Sequence, residues 1–305
     1  MQQGLRPSTR RSYTTAQRYY FKFCQKYQLV PVPADEHQLL RFVAYAHHSQ
    51  LTAATIGVYL SGISSLHTLQ GLPAPPVASY RIKLALKAIT AAGPATNKKA
   101  PITYQLLCHL LHQLQYSDLY LLYRAMFCLG FFGALRGSEY TATVENGTIK
   151  APLVADIVFT RHQDTIAMVF TIHHSKTKRS AIQVPIGCTG KQGCAVCAML
   201  DYMSYRQQLG TLHASSYLFM DNLGRPITKD QLNLAIKRTL SGLGLDISRY
   251  SSHSFRSGAA TAAHHAGFTE SQIQALGHWA STAYAGYITH NHSQAFDLSR
   301  KLTSL

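Results

Sequence analysis

The stretch HSFRSGAATAAHHAGFTESQIQALGHWASTAYAGYITH, residues 253–290, gathers His253 and Arg256 one helical turn apart, a Gly-His-Trp at 277–279, and the tyrosines Tyr284 and Tyr287. A separation of three puts His253 and Arg256 on the same side of a helix. Upstream, Arg136 follows an apolar segment and a Gly-Ala-Leu turn, a position where the fold and not solvent fixes the guanidinium. Lys176 lies in HHSKTKRS, at the turn between the second and third expected strands. His278 occupies the Gly-His-Trp corner, and Tyr287 follows it by nine residues.

Two guanidiniums, a lysine, two imidazoles and a phenol suit a phosphodiester whose charge grows in the transition state. Phosphoryl transfer needs its nonbridging oxygens neutralised, its nucleophile held in line and its leaving oxygen protonated. Arginine offers a planar fork that keeps its charge, so Arg136 and Arg256 are the candidates for gripping the two oxygens. Tyr287 is the candidate nucleophile, forming a covalent phosphotyrosine. Lys176 would protonate the departing 5′ oxygen, while His253 would assist the phenol or bond a phosphate oxygen, and His278 would add a donor. The cations do the neutralising that Mg²⁺ does elsewhere, so no cofactor is expected. Tyr284 competes with Tyr287, being three residues away on one helix face. Lys178 competes with Lys176 in the same turn.

Composition points the same way. Of 305 residues, 29 are Lys or Arg and 13 Asp or Glu, a formal charge of +16, with a pI near 9.7. This excess favours a polyanion, above all nucleic acid, over small metabolites. Residues 1–100 hold twelve Lys/Arg against two acids, Asp35 and Glu36. A membrane role is disfavoured: the apolar run 119–135 is interrupted by Arg124 and is short for a span, which makes it an expected core helix. The opening MQQGLRPSTRRSY shows no secretory leader pattern, so the six scattered cysteines are expected as free thiols in a reducing compartment. Cys188, Cys194 and Cys197, with His173 and His174, raise the question of zinc. No second ordered pair follows and Cys197 falls within an expected helix, so buried thiols and no metal are expected.

The segment GPATNKKAP, residues 93–101, has linker composition. It separates a domain over residues 1–92 from one over 102–305. In the first, helical periodicity marks one helix capped at Ser8 or Thr9 with a face of Tyr13, Ala16, Tyr20, Cys24 and Tyr27. A second carries Leu39, Phe42, Val43 and Ala46, and a third Ile56, Tyr59, Leu60, Ile63 and Leu66. A fourth carries Ile82, Leu86 and Ile89, with Arg81, Lys83 and Lys87 outside. Arg10, Arg11, Arg18, Lys83, Lys87, Lys98 and Lys99 are the candidate DNA-contacting cations. In the second domain, helices over roughly 102–114 and 118–134 precede alternating runs DIVFT, TIAMVFTIHH and AIQVPI, which read as a small antiparallel sheet. Helices are expected from about Ala195 almost to the end. The fold class is therefore mainly α with a small antiparallel β-sheet.

ALRGSE, SKTK, HSFR, LGHW and YAGYITH resemble the successive motifs of the tyrosine recombinase (phage integrase) family, in its order and with a similar His-to-Tyr interval. STRRSYTTAQRYYFKFC, KKAPIT, GCAVCAML and GHWASTAYAGYI look most like recombinases of eukaryotic mobile elements, the DIRS-like and Ngaro retrotransposons and the Cryptons. The resemblance implies a helical, SAM-like core-binding domain followed by an α+β catalytic domain, closing as a C-shaped clamp on double-stranded DNA. It implies a tetramer on two DNA sites, a Holliday junction, neither ATP nor metal, and a nuclear location. To Glu139 it gives a role in orienting the active site. Two other readings share these residues: a DNA-binding protein retained from a mobile element, and a type IB topoisomerase.

Overall fold

The computed structural model describes residues 5, 7–93, 99–115, 117, 119–145, 147–162, 164–173, 180–279 and 281–288. The chain divides into two compact units, Met1–Asn97 and Lys98–Leu305.

The first unit is helical: α1 (Pro7–Lys26), α2 (Glu36–His48), α3 (Ala53–Leu69) and α4 (Tyr80–Ala92). Ser8 and Thr9 are not the cap of α1 but lie in its first turn, because Pro7, with its fixed φ and no N–H to satisfy, serves as the first helical residue. Asp35, Thr52 and Ser79 cap the next three helices, each accepting from the backbone N–H three residues on. Tyr20, Phe23 and Phe42 form the aromatic centre, Phe42 meeting the other two rings edge-on at 5.3 and 5.4 Å. Tyr27, expected on the buried face, is exposed just past the helix end, and Phe23 fills the core in its place. At Gly62 a Cβ would press on Ala16, so the bare backbone lets α3 approach α1 closely. Buried His67 accepts from the Ala34 N–H at Nε2 and donates from Nδ1 to the Ile63 carbonyl. An N–H can only donate, which fixes that tautomer.

The second unit is built around α6 (Tyr120–Phe132), buried along most of its length and packed between α5 (Tyr104–Leu114) and α8 (Ala195–Gln208). The apolar run is thus a core helix, and Arg124 pairs with Asp201 of α8 at 2.5 Å. No described helix is long and apolar enough to cross a membrane. Thr103 caps α5, so Ile102 stays extended and donates its N–H to Ser254 O. After the short α7 (Gly137–Tyr140), a hairpin of β1 (Thr143–Glu145) and β2 (Thr148–Lys150) leads to the sheet of β3 (Ile157–His162), β4 (Thr165–Ile172) and β5 (Ile182–Gly187), antiparallel in that order. The alternation in β5 is complete, Ile182, Val184 and Ile186 facing the core.

Helix does not run unbroken after α8. Residues 209–228 form a loop organised by Arg206, whose buried guanidinium donates to the carbonyls of Tyr217 (2.6 Å), Leu218 (2.8 Å) and Thr211 (2.5 Å). Then come α9 (Lys229–Ser241), α10 (His253–His265), α11 (Glu270–Gly277) and a 3₁₀ turn over Thr282–Tyr287.

Candidate active site

Helix α10 supplies the centre of the site. His253 stands at its first position and Arg256 one turn on, fully buried. The Arg256 guanidinium donates through Nη1 to the carbonyl of Ala134 and through Nη2 to that of Gly277 at 2.5 Å. It therefore ties the end of α6 to the end of α11. It lies 4.0 Å from the centre of the Trp279 ring and 5.8 Å from that of Tyr287. Its Nε is buried with no hydrogen-bond partner among the described residues. Burial and the nearby Arg136 push its pKa down to about 10, against the opposing pull of Glu139 and Tyr287.

Arg136 directly precedes α7, in the turn after Ala134, which adopts a left-handed φ of 46°. Glu139 holds it from both ends: one carboxylate oxygen accepts from the Arg136 backbone N–H and the other from Nη1, both at 2.8 Å. A glycine suits position 137, because a Cβ there would fall 2.5 Å from Ser252 Oγ.

Tyr287 ends the 3₁₀ turn, half-buried. Its ring meets His253 edge-on at 5.2 Å and Trp279 at 5.5 Å. Its carbonyl accepts from Ser257 Oγ at 3.4 Å and Thr261 Oγ1 at 3.2 Å, both on α10. Tyr284 is instead packed away with Ala260, Ala263, Ile273 and Trp279. Burial, with Glu270 beside it, raises its phenol pKa, which disfavours the phenolate. The fold thus separates the two tyrosines. His278 ends α11 in the left-handed region (φ 54°, ψ 37°), directly after the Gly277 carbonyl that Arg256 holds. The His253 pKa is lowered by burial first, then by Arg256, Lys229 and Arg136, while Glu139 opposes them. The neutral imidazole is favoured.

Arg136, His253, Arg256 and Tyr287 therefore come together, with Glu139 behind Arg136, while His278 follows in the chain directly after the Gly277 that Arg256 holds. Lys176 and Lys178 lie outside the described residues, as do His174 and Lys98. Of the candidate DNA-contacting cations, Arg11, Arg18, Lys83 and Lys87 are exposed and Arg10 is half-exposed. Lys99 donates to the Ser248 carbonyl at 2.5 Å. His173 pairs with Asp156 at 2.9 Å.

Three contributors escaped the sequence reading. Lys229 adds a cation beside His253; it is far from HSFR in sequence, and its only local sign is the T-x-x-Q capping box of Thr228 and Gln231. Ser257 and Thr261 are ordinary helix residues until their i, i+4 spacing is seen to aim two hydroxyls at one carbonyl.

Fold and site together define a protein that gathers Arg136, Arg256 and Lys229 with His253 and the Tyr287 phenol in one place. The sequence profile of the phage integrase family matches residues 103–295, and the chain belongs to that family. No curated protein matches the chain. Among solved structures, the chain is similar to the XerH site-specific recombinase bound to a palindromic difH substrate in a post-cleavage complex, at 16% identity and TM-score 0.65, covering 95% of this chain and 78% of that one. It is similar to the Tn1549 transposon integrase in complex with transposon right-end DNA, at 13% identity and TM-score 0.64, covering 98% and 95%. A lambda integrase dimer bound to a COC′ core site matches at 14% identity and TM-score 0.57, covering 94% and 73%. These likenesses establish the fold as that of the tyrosine recombinases.

Proposed function

We propose that this chain is a site-specific recombinase that cuts and rejoins double-stranded DNA through a 3′-phosphotyrosyl bond on Tyr287. The observation that carries this reading is Arg256: a fully buried guanidinium beneath Tyr287, with Arg136 near it and an Nε–H that has no partner among the described residues. A buried charge and an unmade hydrogen bond are both costly, and a phosphate oxygen would relieve both.

In the forward step Tyr287 Oη attacks phosphorus as the bond to the 5′ oxygen breaks. The phenol proton passes to neutral His253, and Lys176 protonates the leaving 5′ oxygen. Arg136, Arg256 and His278 neutralise the nonbridging oxygens, and Lys229 adds a phosphate contact at the rim. A 5′-hydroxyl from the partner strand then attacks the phosphotyrosine and restores Tyr287. The phosphodiester energy is conserved throughout. The first unit acts as the core-binding domain, Arg10, Arg11, Arg18, Lys83 and Lys87 contacting backbone phosphates together with Lys98 and Lys99 of the connecting segment. We extend the proposal to a tetramer on two sites, a Holliday-junction intermediate, origin in a eukaryotic mobile element and a nuclear location.

The test incubates the full chain with a pool of nicked duplexes randomised across the core and separates covalent adducts in denaturing detergent. We expect an adduct that forms without ATP and disappears in Tyr287→Phe. Tight binding of duplex DNA with no adduct from any member of the pool would overturn the recombinase reading and leave DNA binding alone.

A further inference from the structure

A second cluster of reactive side chains lies apart from the phosphodiester site, where β5 passes into α8. The Cys188 N–H donates to the Ile166 carbonyl at 2.9 Å, so the end of the sheet fixes this residue. The chain then turns through Gly190 and Gly193, both at positive φ (62° and 77°), and returns Cys194 to the start of α8 with Cys197 in its first turn. All three sulfurs lie within 4.8 Å of one another, Cys188 Sγ being 3.6 Å from both Cys194 Sγ and Cys197 Sγ.

Spacing alone predicts buried thiols without metal, but of these three cysteines only Cys194 is buried, and we propose that Cys188, Cys194 and Cys197 bind one zinc ion as thiolates, with water in the fourth position. Three features carry this. First, sulfurs bound at about 2.3 Å around a tetrahedral zinc stand about 3.8 Å apart, which is the spacing this loop sets up. Second, the surroundings suit negative sulfur: the Thr189 N–H donates to Cys194 Sγ at 3.3 Å, and the positive end of the α8 dipole faces the cluster. Third, the arrangement is a triad. A disulfide needs only two sulfurs and leaves the third without purpose, whereas soft thiolate sets select zinc.

His173, considered with these cysteines from sequence, is excluded by register; His174 lies outside the described residues. Ile172 pairs with Ile182 at one end of the sheet, while Gly187 and then Cys188 emerge at the other, beside Ala167 and Ile166. Among the described residues no fourth Cys, His, Asp or Glu joins the cluster. Binding releases the thiol protons and clips the end of β5 to α8. The other end of β5 follows the segment that carries Lys176, so the clip steadies the strand leading out of it.

The test uses the full chain, purified under reducing conditions without a metal-binding tag. We expect equimolar zinc by elemental analysis, lost in Cys188→Ser and Cys197→Ser and retained in Cys108→Ser. Cobalt exchanged into the unaltered chain should show thiolate-to-cobalt charge-transfer absorption and tetrahedral ligand-field bands, a readout independent of whether the variants fold. An unaltered chain that takes up neither zinc nor cobalt against a competing chelator would overturn the proposal. So would zinc retained in full by Cys197→Ser, or a non-reducing peptide map showing two of these cysteines joined as a disulfide.

Discussion

Arg256 holds two carbonyls and faces two aromatic rings with one guanidinium. Only a planar fork can do this, so Arg256→Lys is not conservative. An ammonium leaves the Ala134 or Gly277 carbonyl without its donor, costing about 1–3 kcal/mol of stability. Single-turnover cleavage should fall by roughly 10²-fold or more, as for loss of an oxyanion donor; a variant that cleaves at the original rate would contradict the assignment. His253 gives a pH test with a definite sign. Burial and three neighbouring cations lower its pKa, so it stays neutral at neutral pH, as the proposed transfer of the phenol proton requires. Adduct formation should hold through neutral pH and decline as pH falls through this lowered value, and His253→Gln should flatten that limb. Stability moves in the same direction. Below the ordinary imidazole range the unfolded chain binds a proton that the folded site resists, so folding weakens on acidification until the folded imidazole itself protonates. A pH profile identical for His253→Gln and the unaltered chain would remove the residue from the proton path.

Among the elements, α10 does most to assemble the site. It presents His253 and Arg256 on one turn, holds the Tyr287 carbonyl with Ser257 and Thr261, and packs at Gly258 against the segment before α5. A Cβ on Gly258 would overlap the Ile102 carbonyl. Gly258→Ala should therefore destabilise the chain by about 1–3 kcal/mol or more, read from thermal or denaturant unfolding, and an unchanged midpoint would show that this packing is looser than described. What the sequence made legible follows from periodicity. His-x-x-Arg states its own geometry once a helix is assumed, and the alternation of AIQVPI gives β5 its buried face. Hairpin β1–β2 was missed because three-residue strands without a full burial alternation carry almost no period. The loop over 209–228 was missed because its organiser, Arg206, looks like any charged residue on a helix until its guanidinium is seen to hold three carbonyls. The nine-residue interval from His278 already favours Tyr287 over Tyr284, but what the sequence does not show is the packing of Tyr284 behind Trp279 while Tyr287 faces Arg256 and His253.

For the whole molecule, charge is the main physical statement: +16 overall, with twelve Lys/Arg against two acids in residues 1–100. Each phosphate neutralised releases counterions, so affinity for duplex DNA should fall steeply with salt, with a log–log slope of about −0.9 per contact. Reversing Lys83 and Lys87 to Glu should weaken binding alike across DNA sequences and shallow that slope; a flat salt response would refute the electrostatic reading. The proposed chemistry rests most heavily on the Tyr287 phenol displacing a 5′ oxygen beside Arg256. The most direct measurement is therefore mass-spectrometric mapping of the peptide left attached to DNA after trapping on a nicked duplex. The account predicts the phosphodiester on Tyr287, with Tyr284→Phe still forming the adduct. Phosphate on Tyr284, or an undiminished adduct in Tyr287→Phe, would contradict it.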